Sequence, residues 1–353
     1  MSKKIICFYP SIKKGTNHFL YNLSTLLEND NDIECWSYKE IKKSSPKKLF
    51  DANIYHFNWF DQSITFFSFL KRLYFLLFLK IKNKKIIWTI HNIEPHLKQP
   101  KYNFILRELL IRFSDKIHIM NSDSENIVYL RKVKFKTVWI PHGDYFNSYP
   151  ESTINIYQRY QISSKKKIIL FLGAILPYKN VDVLIEAYQK AFRLIEECPV
   201  LLICGKTELD FYKEKIKTLI NGNKNIIYDP KFIIDEEMAA YLRNATILVA
   251  PYSYKSALNS GTVPLAFSYG KTIICPDIPY VKDVLKESNC LYSYHYDNPF
   301  QHKEKLVEAF LEFYSDLKDS TRFWDKEKKA TLYMERHSWK VHQKDWISLY
   351  KDL

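Results

Sequence analysis

The segment 252–275 reads YSYKSALNSGTVPLAFSYGKTIIC. Its polar loop ends in Asn259, Ser260, Gly261 and Thr262, then gives way to an apolar helical run, a stop at Gly270 and a new strand. Small residues opening a helix present N–H groups that lack helical partners, and the helix dipole favours an anion there. The chemistry is that of a phosphate site. Ser and Asn are also ordinary helix caps, which is the competing structural role. A second set of polar clusters follows apolar runs: Pro10 to Asn17, His56 to Trp59, His91 to His96, Pro141 to Asp144, and Gly173 to Asn180. An imidazole at a strand end can donate or accept a proton near neutral pH.

The elements that must position these clusters alternate along the chain. Short apolar runs at 4–9, 53–57, 85–90, 116–120 and 137–140 predict strands, with helical spacing over 16–28. The second half repeats the scheme. Strands are expected at 167–172, 200–204, 225–228, 246–250 and 272–275, with helices at 181–195, 210–220 and 235–243. Strands alternating with helices argue for α/β architecture with parallel sheets covered on both faces. Two such sets predict two doubly wound, Rossmann-like domains with a cleft at the carboxyl ends of their strands. The boundary is expected within 144–167, where Pro150 and polar residues precede a Lys triplet. Over 331–353 the spacing predicts one helix with Trp339, Trp346 and Tyr350 on a single stripe. A phosphate site late in the second half of such a chain suits a nucleotide-sugar donor better than a dinucleotide.

The 353 residues suffice for two domains, and 46% hydrophobic with 26% charged residues describe a folded, soluble protein. The net charge of +14 is uneven: residues 1–160 carry 25 basic and 14 acidic groups, +11. A basic half suits an anionic partner, either nucleic acid or an anionic membrane leaflet, as well as simple solubility. No RNA- or DNA-binding motif accompanies it. Six scattered Cys without a C-x-x-C pair read as reduced core residues. The apolar start 5–9 runs into Pro10 and is too short for a signal peptide, so a cytoplasmic location is expected. Residues 66–85 combine an apolar face with six flanking Lys and Arg, a pattern that suits a helix lying on an anionic membrane. Asp30-Asn31-Asp32 has the form of a D-x-D metal signature but lies in a polar turn, and no metal is expected.

The pieces FYPSIKKGTN, IYHFNWF, IIWTIHNIEPH, SDKIHIMNSDSENIV, VWIPHGDY, LFLGAILPYKNVDVLIEAY, YLRNATILVAPY, NSGTVPLAFSYGKTIICPDI and the HSW tail follow one another in a familiar order. Together the ordered set resembles a GT-B glycosyltransferase of the large family-4-like group that assembles bacterial capsule, exopolysaccharide and O-antigen chains. The resemblance implies an N-terminal acceptor domain (1–155), a donor domain (156–330) and a last segment (331–353) returning to the first domain. It implies a UDP- or GDP-sugar donor, a glycan or lipid-linked acceptor, and no required cofactor or metal. Lys179 matches the Lys that neutralises the donor diphosphate, whose charge grows in the transition state. Asn259, Ser260, Gly261 and Thr262 match the phosphate loop, and Gly15, with Thr16, Asn17 and Gly173, the remaining donor contacts. His91 matches a cleft His at the reacting sugar, and Glu94 is a candidate general base if the enzyme inverts. Asn58, Trp59, His96 and His142 are candidates for the acceptor side.

The chain departs from the family in two places. The paired Glu residues that contact sugar and ribose are replaced by Ala257 and Leu265. The Arg that accompanies the diphosphate Lys is absent, its candidate positions being Ala174, Ile175 and Leu176. A sugar-nucleotide epimerase on the same fold, or a partner that has lost activity, are the alternatives these departures leave open.

Overall fold

The computed structural model describes residues 3–63, 65–92, 100–127, 130–253 and 257–353. The chain divides into two compact units, Met1–Gly143 with His337–Leu353, and Asp144–Arg336.

The first unit contains β1 (Lys4–Tyr9), α1 (His18–Leu27), β2 (Ile33–Ser37), α2 (Tyr38–Ser44), β3 (Ile54–Asn58), α3 (Phe66–Ile81), β4 (Lys85–Thr89), α4 (Asn103–Phe113), β5 (Lys116–Ile119) and β6 (Thr137–Trp139). All six strands run parallel in the order β2-β1-β3-β4-β5-β6. The strands are apolar runs because a parallel sheet is buried on both faces. Helix α1 buries Phe19, Leu20, Leu23, Leu26 and Leu27, and the Asn17 side chain caps it by accepting from the Leu20 N–H.

The second unit contains α5 (Ile156–Arg159), β7 (Ile168–Leu172), α6 (Val181–Ala191), β8 (Val200–Cys204), α7 (Asp210–Ile220), β9 (Ile226–Asp229), α8 (Asp235–Asn244), β10 (Ile247–Val249), α9 (Thr262–Ser268), β11 (Ile273–Pro276), α10 (Pro279–Glu287), β12 (Tyr292–Tyr294), α11 (Pro299–Lys318) and α12 (Ser320–Arg336). Its parallel sheet has the order β12-β11-β10-β7-β8-β9. Counted within the unit this is 3-2-1-4-5-6, the dinucleotide-fold order. Two apolar layers, one on each face of the sheet, form its core.

Strands β2 and β12 were not expected from the sequence. Both sit at sheet edges, where a strand needs less apolar character, and each carries a polar residue mid-strand. Helix α6 stops at Ala191 rather than 195: Phe192 caps it with non-helical backbone (φ −107°, ψ 11°) and is buried. The single helix expected over 331–353 is two: α12 ends at Arg336, and α13 (Gln343–Lys351) begins after a turn. That turn lets Trp339 lie flat on Gly143, where an added Cβ would stand 2.2 Å from the indole ring. Helix α13 packs on α1 through Trp346, Leu349 and Tyr350. Lys4 Nζ donates to the Tyr350 and Lys351 carbonyls at 3.2 and 3.0 Å, and Lys351 pairs with Asp30 at 2.8 Å. The Asp30-Asn31-Asp32 turn is closed by the Asp32 N–H donating to Asp30 Oδ1. All six Cys are buried and unpaired. Among the described residues no helix is long and apolar enough to cross a membrane.

Candidate active site

In each unit the strand order places one pair of neighbours whose chains leave in opposite directions, and ligands bind at such switch points in open α/β sheets. In the second unit the pair is β7 and β10. Gly173 (φ +137°) follows β7, and Gly205 (φ +149°) follows β8 beside it; a Cβ on Gly205 would stand 1.8 Å from the Gly173 carbonyl oxygen. The chain then makes one 3-10 turn, Pro177–Lys179, and Asn180 takes up a left-handed conformation. Asn180 Nδ2 donates to the Pro251 carbonyl at 2.8 Å, tying the loops after β7 and β10 together.

That tie sets Lys179 over the next residue of the second loop. Its Nζ lies 4.4 Å from the Tyr252 ring centroid and 5.7 Å from that of Tyr178. The buried Tyr252 hydroxyl is 2.6 Å from Thr262 Oγ1 and accepts from Ser260 Oγ at 3.4 Å. The Tyr296 hydroxyl holds the Tyr252 carbonyl at 2.8 Å. Tyr252 therefore joins Lys179 to the loop Asn259 to Thr262. Ser260 Oγ also accepts from the Val263 N–H at 3.3 Å, the capping role. The N–H groups of Gly261 and Thr262 donate to no acceptor among the described residues. Gly261 is exposed, with an ordinary φ of −68°, and an added Cβ would meet only the Tyr145 hydroxyl at 3.4 Å. The fold itself makes little demand for glycine at 261. A cation on the Tyr252 ring, the Thr262 hydroxyl bonded to that ring's own hydroxyl, and two amides of the same loop are groups that can hold an anion. Ala257 is buried and Leu265 packs on the core, so neither position offers a polar group.

In the first unit the switch point lies between β1 and β3. Asn58, at the end of β3, is wholly buried. Its Nδ2 donates to the Tyr9 carbonyl at 3.3 Å across the switch point, and its Oδ1 lies 2.8 Å from His91 Nε2. An amide oxygen only accepts, so His91 carries its proton on Nε2 and Nδ1 is the lone-pair atom. His91 stacks on Trp59 with centroids 3.9 Å apart and planes 16° off parallel. Trp59 has φ +52°, a conformation that L side chains rarely adopt. Burial, then the rings of His118, His142 and His56, push the His91 pKa well below the ordinary value. The imidazole is neutral. Asn58, expected on an acceptor platform, is instead a buried brace for His91.

His142 is also buried, bonded through Nδ1 to the Gly143 carbonyl at 2.7 Å, and burial lowers its pKa to about 4. Phe19 meets both imidazoles, at 4.9 Å from His142 and 5.8 Å from His91. Gly15 and Thr16 are exposed in a turn closed by Thr16 N–H and Oγ1 on the Lys13 carbonyl, while Asn17 caps α1. Glu94 and His96 lie outside the described residues. The sequence-derived residues thus form two groups: Lys179, Ser260 and Thr262 around Tyr252 in one unit, and Asn58, Trp59 and His91 in the other. Tyr252 and Tyr178 were missed, and Asn180 was named only as the end of a polar cluster, with no role. Tyr252 stands inside the most informative segment, but a lone Tyr after a strand carries no signal until the fold brings Lys179 onto its face. Among the described residues no cluster of three His, Cys, Asp or Glu could hold a metal ion.

The profile of one family, described as glycosyl transferases group 1, matches residues 153–330. The chain belongs to the group 1 glycosyl transferases. Solved structures agree on the fold. HepE of Anabaena, in complex with UDP and glucose, superposes with a TM-score of 0.70 at 14% identity, covering 99% of this chain and 100% of that one. A sucrose-phosphate synthase from Thermosynechococcus elongatus gives 0.71 at 12% identity, over 99% of both chains. A glycosyltransferase from Rickettsia africae gives 0.68 at 14% identity, over 99% and 98%. At such identities the likeness speaks for the fold alone, and that fold is GT-B, two Rossmann-like units in one chain. A search of curated proteins by sequence returned no match. In this group 1 transferase the matched region carries the Lys179–Tyr252–Thr262 assembly, and the residues around His91 precede it.

Proposed function

We propose that this transferase moves a hexose-type sugar from a UDP- or GDP-sugar to a hydroxyl of a glycan or lipid-linked glycan during assembly of a bacterial surface polysaccharide. One observation carries the donor half: Lys179 is held on the face of Tyr252, whose hydroxyl meets Thr262, and the Gly261 and Thr262 amides meet no acceptor among the described residues, at the switch point of the second unit. In this reading the amides and Thr262 bind the diphosphate and Lys179 neutralises the charge it gains as the glycosidic bond breaks. Exposed Gly261 allows the backbone to approach the phosphates. The UDP complexes of HepE are consistent with such a donor. The neutral His91, braced by Asn58 and stacked on Trp59, serves as a hydrogen-bonding group toward the sugar or the acceptor hydroxyl. Gly15, Thr16 and Gly173 stay candidates for donor contact, and Glu94, His96 and His142 for the acceptor side. No metal or other cofactor is assigned a step.

A lipid-linked acceptor would bring the enzyme to the inner face of the plasma membrane, which the basic first half of the chain suits. Thermal shift with UDP, GDP and their sugars tests the donor reading: stabilisation by one nucleotide family, lost in Lys179→Ala, supports it, and no response to any nucleotide overturns it. A second reading, a family member that binds a sugar nucleotide without transferring the sugar, is favoured by the apolar residues at Ala257 and Leu265. Donor binding without sugar transfer to any acceptor, or release of an altered sugar nucleotide, would select it or its epimerase variant.

A further inference from the structure

Helix α3 buries Phe69, Phe75, Leu76 and Leu79 against the first unit. On the other side, Phe67, Leu70, Tyr74, Leu77 and Ile81 recur at alternating three- and four-residue steps and are between 41% and 81% exposed. That spacing sets five apolar side chains along one helix face. At ~1.5 Å per residue the stripe is about 21 Å long. Beside it a cleft of 440 Å³ opens between α3 and the segment 38–50, and Tyr74 belongs to both stripe and cleft. The cleft wall is aromatic, with Tyr9, Phe50 and Phe78. Its rim is basic. Lys42, Lys47 and Lys71 line it, and none has a carboxylate partner among the described residues. Arg72 also lines it, its guanidinium 5.5 Å from the Tyr9 ring and donating to the Phe60 carbonyl at 2.7 Å.

An apolar stripe beside cations that meet no carboxylate among the described residues needs a partner that is greasy and anionic together. A second copy of the chain fits poorly, since a two-fold interface on this face would bring the three lysines toward their own copies. The surface of an anionic bilayer supplies both parts. We propose that α3 lies in the headgroup layer of an anionic membrane, with the Phe67 to Ile81 stripe among the upper acyl chains and one lipid phosphate held in the cleft by Lys42, Lys47 and Lys71. The inference rests on the membrane reading above and names its seat; it is independent of the donor chemistry.

Sedimentation with vesicles of phosphatidylcholine, alone or mixed with phosphatidylglycerol, tests it on the full chain. Wild-type protein should sediment with mixed vesicles only. Lys47→Gln with Lys71→Gln should weaken binding about fivefold for each lysine removed. Lys224→Gln with Lys328→Gln, the same charge change on exposed positions of the second unit, should leave it unaltered. Leu70→Gln with Leu77→Gln should weaken it as well, with the melting temperature of each variant confirming the fold. Equal losses in the cleft pair and the control pair would reduce the effect to net charge and overturn the seat. So would full binding in the Leu70/Leu77 variant, inorganic phosphate displacing the protein at low millimolar concentration, or a wild-type dimer that this variant dissociates. In those cases membrane contact itself can survive, whereas no binding to mixed vesicles overturns both. Nucleotide thermal shifts in the same variants report the donor site separately and should not change.

Discussion

Tyr350 Oη lies 2.7 Å from His56 Nδ1, joining the last helix to the third strand across 294 residues. The bond heads a chain whose polarity is set from its far end. His118 Nε2 meets the Ile140 carbonyl at 2.9 Å and must donate to it, so His118 Nδ1 accepts from the Thr89 hydroxyl at 3.0 Å. Thr89 Oγ1 then accepts from His56 Nε2 at 2.6 Å, and His56 Nδ1 accepts from Tyr350. Tyr350, His56, Thr89 and His118 are all buried, and the chain stitches α13 to β3, β4 and β5.

Tyr350→Phe should therefore destabilise the first unit by about 1–3 kcal/mol, because the ring still fills its place while His56 is left with a buried, unmet lone pair. Urea unfolding followed by tryptophan fluorescence measures this. A variant as stable as wild type would show that the bond contributes nothing net.

The same chain predicts an acid limit. Burial lowers the His118 pKa from 6.5 to about 4 and holds His56 well below its ordinary value. Both imidazoles are neutral in the fold and become protonated on unfolding below the ordinary value, so unfolding takes up protons in that window. Stability should be full above pH 6.5 and fall as the pH drops from there toward 4. His118→Gln, which can still donate to Ile140, should flatten that slope in melting curves taken across the range.

Two glycines should behave oppositely. Gly143→Ala places a methyl inside the Trp339 ring and should lower stability by several kcal/mol, since the backbone and the indole cannot both stay in place. Gly261→Ala meets only a hydroxyl at contact distance and should leave melting unchanged while weakening nucleotide binding. Paired melting and calorimetric titration with UDP and GDP separate the two effects.

Lys179→Ala should lower turnover on the order of 10²-fold, the usual effect of removing one group that stabilises transition-state charge, with little change in melting. Tyr252→Phe keeps the ring under Lys179 but loses the hydroxyl to Thr262, so it should be milder than Tyr252→Ala. Steady-state kinetics with the donor found by thermal shift would decide; unchanged turnover in Lys179→Ala would remove that residue from the mechanism.

The central strands and their helices were legible in the sequence because buried parallel strands are unbroken apolar runs and α1, α7 and α8 show helical spacing. Edge strands β2 and β12, and the charged helices α11 and α12, were not, because partial exposure lets polar residues into them. The Asn259 to Thr262 loop could be marked from residue type as small polar residues opening a helix, whereas Lys179 could be marked only through the family resemblance.

Residue type did not reveal what each side chain is bonded to. That Asn58 braces His91 rather than facing a ligand, that Tyr252 couples Lys179 to Thr262, and that Gly143 is required by Trp339 depend on partners 33, 73, 10 and 196 positions apart. Sequence by itself determined the order of the central strands and of the helices with clear apolar spacing, and the residue types at their ends, which follow from local propensity and periodicity. Which of those ends meet, which imidazoles are neutral and which polar groups are already used were decided by the tertiary structure, because hydrogen bonding and desolvation depend on distance in space and not along the chain.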